Sequence, residues 1–233
     1  MTPRALLFDV DGTLVDSVYQ HVAAWCEVLD QTGIVFPAWR IHRRIGLGGE
    51  RFVEALLADT GRTATPPEVK RLLRRHDRAF ARRAHQVKAL PGARELLQFL
   101  SNAGAPWALV TSGRPQDARP ALQALGIRRR GATVVTGDQV ADAKPAPDLL
   151  VAGAERLGVP IEATIVVGDS VWDFIAARQA GAFGVGLLSG GYGRDELLRA
   201  GARRVYQDAA DLLRRLGELG IGQTESARSL KAS

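Results

Sequence analysis

Two aspartates one residue apart, Asp9 and Asp11, follow an apolar run near the N-terminus. The run, Ala5–Phe8, predicts a buried strand, and the Gly12-Thr13 pair predicts where that strand ends. Alternate residues of an extended chain point the same way, so both carboxylates could face one site just beyond the strand. Two carboxylates on one small patch repel each other unless a cation or a shared proton joins them. Such oxygen ligands suit magnesium, which binds one or two carboxylates and keeps waters that a phosphate can replace.

The same residues have a simpler interpretation, because Asp-Gly pairs commonly form turns after strands. Three later segments, in a fixed order along the chain, favour the chemical interpretation. Thr111-Ser112 follows a predicted strand, Lys144-Pro145 precedes a predicted helix, and residues 168–173 (GDSVWD) follow an apolar, β-branched strand. In open α/β sheets, ligands bind beyond the carboxyl ends of the strands, so these segments are expected to meet at one place.

Residues 9–17 (DVDGTLVDS) resemble the first motif of the haloacid dehalogenase superfamily of phosphohydrolases. The three later segments are similar to the second, third and fourth motifs of that family. The pattern Lys-Pro-x-Pro-Asp at residues 144–148 resembles the branch that holds phosphoglycolate phosphatase and β-phosphoglucomutase. The resemblance implies an α/β fold with a doubly wound, mostly parallel, Rossmann-like sheet and an inserted all-helical cap.

The resemblance also implies catalytic roles. Asp9 would be the nucleophile that forms an aspartyl-phosphate. Asp11 would be the general acid and then the base; a carboxylic acid can play both roles if its surroundings raise its pKa toward neutrality. Dehalogenases of the family lack this second aspartate, so Asp11 favours phosphate chemistry. Thr111 and Ser112 would bind the phosphoryl group, and the catalytic Lys144 would neutralise both the phosphate and the nucleophile.

Mg²⁺ is the cofactor that the resemblance implies. Its ligands would be Asp9, Asp169 and the backbone carbonyl of Asp11. Asp173 lies one helical turn after Asp169, so it could join the outer shell of the ion or hold Lys144. The simpler interpretation of Asp173 is an acid favoured by the dipole at a helix N-terminus.

The pattern between the first motif and residue 86 differs from the rest of the chain. Apolar residues recur there at helical spacing, and the second of the helices is expected at about residues 38–45. From Leu90 onward, predicted strands alternate with helices. That alternation predicts a parallel sheet with helices on both faces. The expected units are a core of residues 1–16 and 87–221, a helical cap of residues 17–86, hinges near Val15–Asp16 and residues 86–89, and a disordered tail at 222–233.

A glycine-rich turn in the predicted cap, residues 46–49, is expected to reach over the site and exclude water, as lids do. Arg44 and Arg51 flank this turn, and Arg114 follows the second motif. Each could hold a substrate carboxylate or a second phosphate by bidentate pairing. The alternative for each is a solvated arginine on a helix face.

Three histidines of the predicted cap, His21, His76 and His85, are interpreted as structural or exposed. The 233-residue chain has a formal net charge of +6, which favours anionic ligands by steering. No stretch predicts a membrane span, and no signal peptide is recognised, because aspartates interrupt the only early apolar run. The single cysteine, Cys26, cannot form an internal disulfide, which fits a reducing cytoplasm. The sequence is silent on oligomeric state.

These features predict a magnesium-dependent phosphatase that hydrolyses a small soluble phosphate monoester, phosphoglycolate-like or a sugar phosphate. The first alternative is a sugar-phosphate mutase that uses the same phosphoaspartate, and Arg51 keeps it open. The second is a basic nucleic-acid-binding protein on an inactive core, which would bind DNA in a strongly salt-dependent way. Its basic residues lack interleaved aromatics and form no recognised nucleic-acid motif, so a small phosphorylated metabolite is the expected partner.

Overall fold

A six-stranded sheet in which every neighbouring pair runs parallel lies at the centre of the molecule. The computed structural model describes residues 5–127 and 132–221. In chain order the strands are β1 (Ala5–Phe8), β2 (Val15–Asp16), β3 (Lys88–Ala89), β4 (Trp107–Thr111), β5 (Thr133–Thr136), β6 (Thr164–Gly168), β7 (Phe183–Leu187) and β8 (Ala202–Tyr206). The sheet has the order β5-β4-β1-β6-β7-β8, while β2 and β3 pair with each other.

Ten α-helices surround the sheet among the described residues. They are α1 (Val18–Asp30), α2 (Ala38–His42), α3 (Gly49–Ala58), α4 (Pro66–Ala81), α5 (Ala93–Asn102), α6 (Pro115–Leu125), α7 (Asp148–Leu157), α8 (Val171–Ala180), α9 (Arg194–Ala200) and α10 (Ala209–Arg214). The first four, here called the cap helices, lie between β2 and β3 in the chain. The alternation predicted from the sequence is therefore present, and the doubly wound α/β sheet is confirmed.

The central strand β1 is apolar throughout because both faces of the sheet are covered. Leu6 and Phe8 pack into one core and Leu7 into another, since alternate residues of a strand face opposite sides. The first core includes Leu96 of α5 and continues into the cap helices, while the second includes Leu150 of α7. Burying β1 between two cores holds its carboxyl end, and the aspartate that follows it, in a fixed position.

The two segments predicted as hinges pair with each other. Val15 lies opposite Ala89 and Asp16 opposite Lys88, in an antiparallel ribbon through which the chain enters and leaves the cap helices. The sequence did not predict this pairing, because strands of two residues show no periodicity. Motion at the ribbon stays a prediction.

Two further expectations concern the ends of elements and of the chain. The second helix of the cap was expected to extend to residue 45, but α2 ends at His42 and a turn follows. The predicted disordered tail at residues 222–233 lies outside the described residues. Across the residues that are described, none of the helices combines the length and the apolar character needed to cross a bilayer.

Candidate active site

The side chains of the predicted motifs meet at the carboxyl ends of three adjacent strands. Asp9 follows β1, Thr111 ends β4, and Asp169 follows β6. Strands β4 and β5 are added to one edge of β1, and the chain then returns so that β6 pairs with the other edge of β1. Such a reversal of strand order leaves a crevice between the loops, which is where α/β sheets bind ligands.

Lys144 is fully buried, and its ammonium lies between two carboxylates. It forms an ion pair with Asp9 and lies 2.7 Å from Oδ1 of Asp173. Burial lowers the pKa of Lys144, but the charges of Asp173 and Asp9 outweigh that effect and raise it. Oδ2 of Asp173 accepts hydrogen bonds from the backbone N–H and the hydroxyl of Ser170, at 3.0 and 2.7 Å. Both oxygens of Asp173 are thus engaged, one of them by Lys144.

Oxygens of three buried carboxylates, Asp9, Asp169 and Asp173, lie within 4.8 Å of one another. The hydroxyl of Thr13 donates to Oδ1 of Asp169 at 2.7 Å. Burial raises the pKa of Asp9 to about 7; Lys144 opposes this shift and the charge of Asp173 adds to it. Burial, and then the charges of Asp9 and Asp173, likewise raise the pKa of Asp169 well above its usual value.

This cluster fits a magnesium ion by the chemistry of its donors. Its ligands would be hard carboxylate oxygens, and a cation would offset both the burial of the carboxylates and the repulsion between them, which together raise the two pKa values. Because Lys144 and Ser170 occupy the oxygens of Asp173, the carboxylates left for an ion are Asp9 and Asp169. Gly190 packs against Asp169 so closely that a Cβ there would overlap Oδ2 of the carboxylate.

Asp11 stands apart from this cluster. Its Oδ1 accepts a hydrogen bond from the hydroxyl of Ser17 at 2.5 Å and lies 3.5 Å from Nε2 of His21. Burial raises the pKa of Asp11, but the contacts with His21 and Ser17 outweigh it and lower the value below the usual one. In the protein without substrate, the surroundings of Asp11 therefore do not raise its pKa toward neutrality. Its neighbours are hydrogen-bond donors, which favour the charged form.

A cavity of about 660 Å³ opens between the cap helices and the carboxyl ends of the strands. Asp9, Asp11, Thr111, Ser112 and Asp169 all line it. The hydroxyl oxygen of Thr111 accepts a hydrogen bond from the backbone N–H two residues later, at 3.0 Å. The structure thus brings five of the predicted catalytic, phosphate-binding and metal-binding residues to one space.

The glycine-rich turn of the cap contacts two of the predicted phosphate-binding residues. The hydroxyl of Ser112 donates to the carbonyl of Gly46 at 2.9 Å, and the backbone N–H of Gly48 donates to the carbonyl of Lys144 at 3.0 Å. Gly46 has a φ of 102°, and a Cβ there would lie 2.9 Å from Oγ of Ser170. Glycine is needed at this position both for the backbone conformation and for the close approach. The turn lies where a lid was expected; its exclusion of water stays a prediction.

Comparison with known proteins assigns the fold and the site to a family. The model of the haloacid dehalogenase-like hydrolases matches residues 3–181. The chain belongs to this family of hydrolases. The resemblance predicted from the four motifs is thereby confirmed.

Individual relatives of this hydrolase agree with that assignment. Phosphoglycolate phosphatase from Escherichia coli (strain K12) is 34% identical over 234 residues, covering 92% of this chain and 92% of that protein. The crystal structure of a hydrolase from Pseudomonas syringae has 47% identity and a TM-score of 0.91, covering 93% of this chain and 99% of that one. A putative β-phosphoglucomutase from Thermotoga maritima has 27% identity and a TM-score of 0.68, covering 93% and 99%.

The three arginines predicted to bind substrate each pair with an acid in this hydrolase. Arg44 pairs with Asp59 and is not among the residues that line the cavity. Arg51 lines the cavity and lies 2.7 Å from Asp142, and Arg114 lines it and pairs with Asp77 of α4. The structure therefore does not bring Arg44 to the site. Arg51 and Arg114 do reach the cavity, but each already forms an ion pair with an aspartate.

Two histidines of the cap have contacts that the sequence did not predict. His21 lies next to Asp11, and its Nδ1 is 3.2 Å from Nε2 of His76. The ring of His21 also stacks on Phe80, with 3.8 Å between centroids. Burial lowers the pKa of His76 to about 4, so its ring is neutral at pH 7. The available signal was the position of His21, one helical turn after the first motif.

The cap also docks on the core through the backbone carbonyl of Arg43. Trp172 Nε1 and the hydroxyl of Tyr192 donate to this oxygen, at 3.2 and 2.8 Å. The guanidinium of Arg43 lies over the ring of Tyr192, 4.0 Å from its centroid, and pairs with Glu196. No sequence pattern points to these contacts, because they join residues about 130 to 150 positions apart.

Proposed function

We propose that this hydrolase is a magnesium-dependent phosphatase that acts on a small phosphate monoester through an aspartyl-phosphate on Asp9. The observation that carries the proposal is the position of Asp9, paired with the fully buried Lys144 and facing a closed-over cavity beside Asp169. The phosphoglycolate phosphatase from Escherichia coli supports the same reaction class by its sequence similarity.

The buried ion pairs prepare Asp9 for attack on phosphorus. Lys144 opposes the rise in the pKa of Asp9 that burial causes and orients its carboxylate, and Asp173 orients Lys144 in turn. A magnesium ion held by Asp9, Asp169 and the backbone carbonyl of Asp11 would supply positive charge to the transferring phosphoryl group. Thr111 and Ser112 would bind the oxygens of that group.

Asp11 is the proposed acid for the leaving oxygen and then the base for the attacking water. Ser17 and His21 hold its carboxylate at the edge of the cavity. A bound phosphate dianion would oppose the effect of these donors, because a nearby negative charge raises the pKa of a carboxyl group. The acid would therefore be protonated in the complex rather than in the free protein.

The proposal includes a division of the chain into two units. Residues 1–16 and 87–221 would form the catalytic core, and residues 17–86 would form a cap that opens and closes on the ribbon of β2 and β3. The contacts of the glycine-rich turn with Ser112 and Lys144 would be those of the closed state. Closure would remove bulk water from the aspartyl-phosphate, as lids do.

Replacing Asp9 tests the proposal. The variant Asp9→Asn should release phosphate from p-nitrophenyl phosphate only at background rate, and it should leave no acid-stable, base-labile phosphoryl group on the protein. Asp30→Asn, at an exposed end of α1, is the matched control and should behave like the parent. If Asp9→Asn releases phosphate at a rate near that of the parent, the assigned nucleophile is wrong.

A sugar-phosphate mutase is the second candidate, because the cap closes over the same residues and a putative β-phosphoglucomutase shares the fold. A mutase would interconvert hexose 1-phosphate and 6-phosphate, would require a bisphosphate, and would release little free phosphate. Measuring phosphate release and isomer formation on the same sample separates the two. The nucleic-acid alternative receives no support, since the chain belongs to a family of hydrolases and its predicted catalytic residues are assembled.

A further inference from the structure

We infer that Lys70 and Arg74, on α4, bind a second anionic group of the substrate, far from the reacting phosphate. The inference rests on the proposed phosphatase function and narrows its substrate class. The preferred substrates would be phosphate esters whose alcohol carries another phosphate, or a carboxylate, several bonds away. Both groups share the chemistry that two cations recognise, and the test below separates them.

One face of α4 forms part of the cavity wall. Lys70, Leu73, Arg74 and Asp77 all line the cavity, at intervals of three and four residues. Residues with this spacing lie above one another on a single face of a helix. Lys70 and Arg74 are exposed, and both lie on the side of α4 that lines the same cavity as Asp9.

Lys70 and Arg74 differ from Arg51 and Arg114, the other arginine and lysine side chains that line the cavity, in forming no ion pair with any described residue. Arg51 pairs with Asp142 and Arg114 pairs with Asp77. Within the part of the chain that the structure describes, Lys70 and Arg74 form no ion pair.

Like charges four residues apart destabilise a helix, so the pair is unfavourable until an anion lies between them. Asp77 is the acid on the same helical face, and it is already bound to Arg114. An anionic group of the substrate is therefore the partner that this face lacks.

The position of Lys70 and Arg74 along α4 indicates how far the second anionic group of the substrate lies from the reacting phosphate. His76 of α4 contacts His21, which contacts Asp11 at the reacting end of the cavity. Lys70 precedes His76 by six residues, which corresponds to about 9 Å along the helix axis. Arg74 precedes His76 by two residues, or about 3 Å, so an anion held between the two cations would lie toward the far end of a substrate with a carbon skeleton between its two anionic groups.

The remaining wall and the size of the cavity fit such a skeleton. Trp25, Leu47, Phe52 and Leu73 contribute apolar surface to the lining. The volume of about 660 Å³ falls within the range of about 300–1,000 Å³ typical of pockets that enclose drug-sized ligands. The two-carbon group of a glycolate ester would leave most of this space empty.

Matched pairs of esters test the inference. Glucose 1,6-bisphosphate against glucose 1-phosphate probes a second phosphate, and 6-phosphogluconate against glucose 6-phosphate probes a carboxylate. The parent protein should show a kcat/KM about tenfold or more higher for the doubly anionic member of at least one pair, as expected for one charge-assisted hydrogen bond. p-Nitrophenyl phosphate, which lacks a second anion, reports the basal activity.

The double variant Lys70→Gln, Arg74→Gln should lose about 10- to 100-fold in kcat/KM for the preferred ester, mainly through KM. Its activity on p-nitrophenyl phosphate should stay within about twofold of the parent, because no reacting group is touched. Arg75→Gln is the matched control, since Arg75 is exposed on the same helix but does not line the cavity.

The outcomes separate this inference from the proposed function. Equal kcat/KM values within both pairs, or a variant that loses activity equally on p-nitrophenyl phosphate, would overturn the second-anion site while leaving the phosphatase in place. No magnesium-dependent phosphate release from any ester by the parent would overturn the proposed function itself. A loss of selectivity in Arg75→Gln as large as in the double variant would show that general surface charge, not this site, sets the preference.

Discussion

The ammonium of Lys144 lies 2.7 Å from the carboxylate of Asp173, and both side chains are buried. Asp173 belongs to the first turn of α8, where its other oxygen accepts hydrogen bonds from Ser170. The helix dipole favours an acid at this position. The N-terminus of α8 therefore holds the carboxylate of Asp173 in place, and this carboxylate holds Lys144. The lysine in turn pairs with Asp9. One helix terminus thereby orients the proposed nucleophile without contacting the substrate.

Removing the charge of Asp173 should expose this dependence. In Asp173→Asn, Lys144 keeps only Asp9 as an anionic partner, so we expect phosphate release to fall by about 10- to 100-fold. The free energy of unfolding should also fall, by about 3–5 kcal/mol, because breaking a buried pair leaves a charge uncompensated. Steady-state kinetics and denaturant titration measure the two effects. Asp211→Asn is the control, because Asp211 also lies in the first turn of a helix and pairs with cations, but these cations are exposed. A parental rate in Asp173→Asn would show that Asp173 does not orient Lys144 for catalysis.

A methyl group at Gly190 should weaken metal binding. In Gly190→Ala, the new Cβ would overlap Oδ2 of Asp169, so the carboxylate must move. We expect the magnesium concentration at half-maximal activity to rise by about 10- to 100-fold. Gly193→Ala is the matched control, because its Cβ would meet only the flexible end of Glu196, at 3.3 Å. An unchanged magnesium dependence in Gly190→Ala would argue against Asp169 as a ligand.

Arginine should not replace Lys144. The ammonium is fully buried and contacts Asp9 and Asp173, so the larger, planar guanidinium must displace its neighbours. Overpacking of this kind is expected to lower the free energy of unfolding by about 1–3 kcal/mol. Turnover should fall with it, because Asp9 would lose its orientation. The exposed Lys88→Arg should change neither quantity, and a Lys144→Arg protein with parental kinetics would show that charge alone suffices.

Acid should destabilise the protein through His76. Burial lowers the pKa of its ring from 6.5 to about 4, so the unfolded chain binds the proton more tightly than the folded protein. The neutral ring therefore contributes fully to the free energy of unfolding above pH 6.5, and this contribution is lost as the pH falls toward 4. Between pH 7 and pH 5 it should amount to about 2 kcal/mol of unfolding free energy.

The measurement compares denaturant unfolding at pH 7 and pH 5 for the parent and for His76→Gln. The variant should lose about 2 kcal/mol less than the parent over this interval, whatever the other groups contribute. His85→Gln, at an exposed position after α4, should follow the parent. Identical pH dependence in parent and His76→Gln would show that the ring is not held neutral.

Strand and helix positions in the core could be read from the sequence because each depends on short-range patterns. The apolar run Ala5–Phe8 and the alternation after Leu90 predicted a parallel sheet, and strand ends in such a sheet meet at one edge. The motif residues were therefore predicted to share a site, and the structure brings Asp9, Thr111 and Asp169 to one cavity. Their chemical roles stay predictions.

The sequence alone could not predict which side chains of the cap and the core contact one another. Arg44, Arg51 and Arg114 look alike in a sequence, but acids at Asp59, Asp142 and Asp77 neutralise them. The pKa of Asp11 is lowered rather than raised because His21, from a cap helix, is packed beside it.

Local periodicity is a property of neighbouring residues, so the order of residues was enough to place the six strands of the central sheet and the four motifs, but not the two-residue strands β2 and β3. Which cations form ion pairs, and which carboxylates have a raised or a lowered pKa, depends on burial and on charges contributed by distant segments. Lys70 and Arg74, for example, form no ion pair with the residues that the structure describes. Electrostatic interactions act through space rather than along the chain, and only the folded arrangement sets those distances.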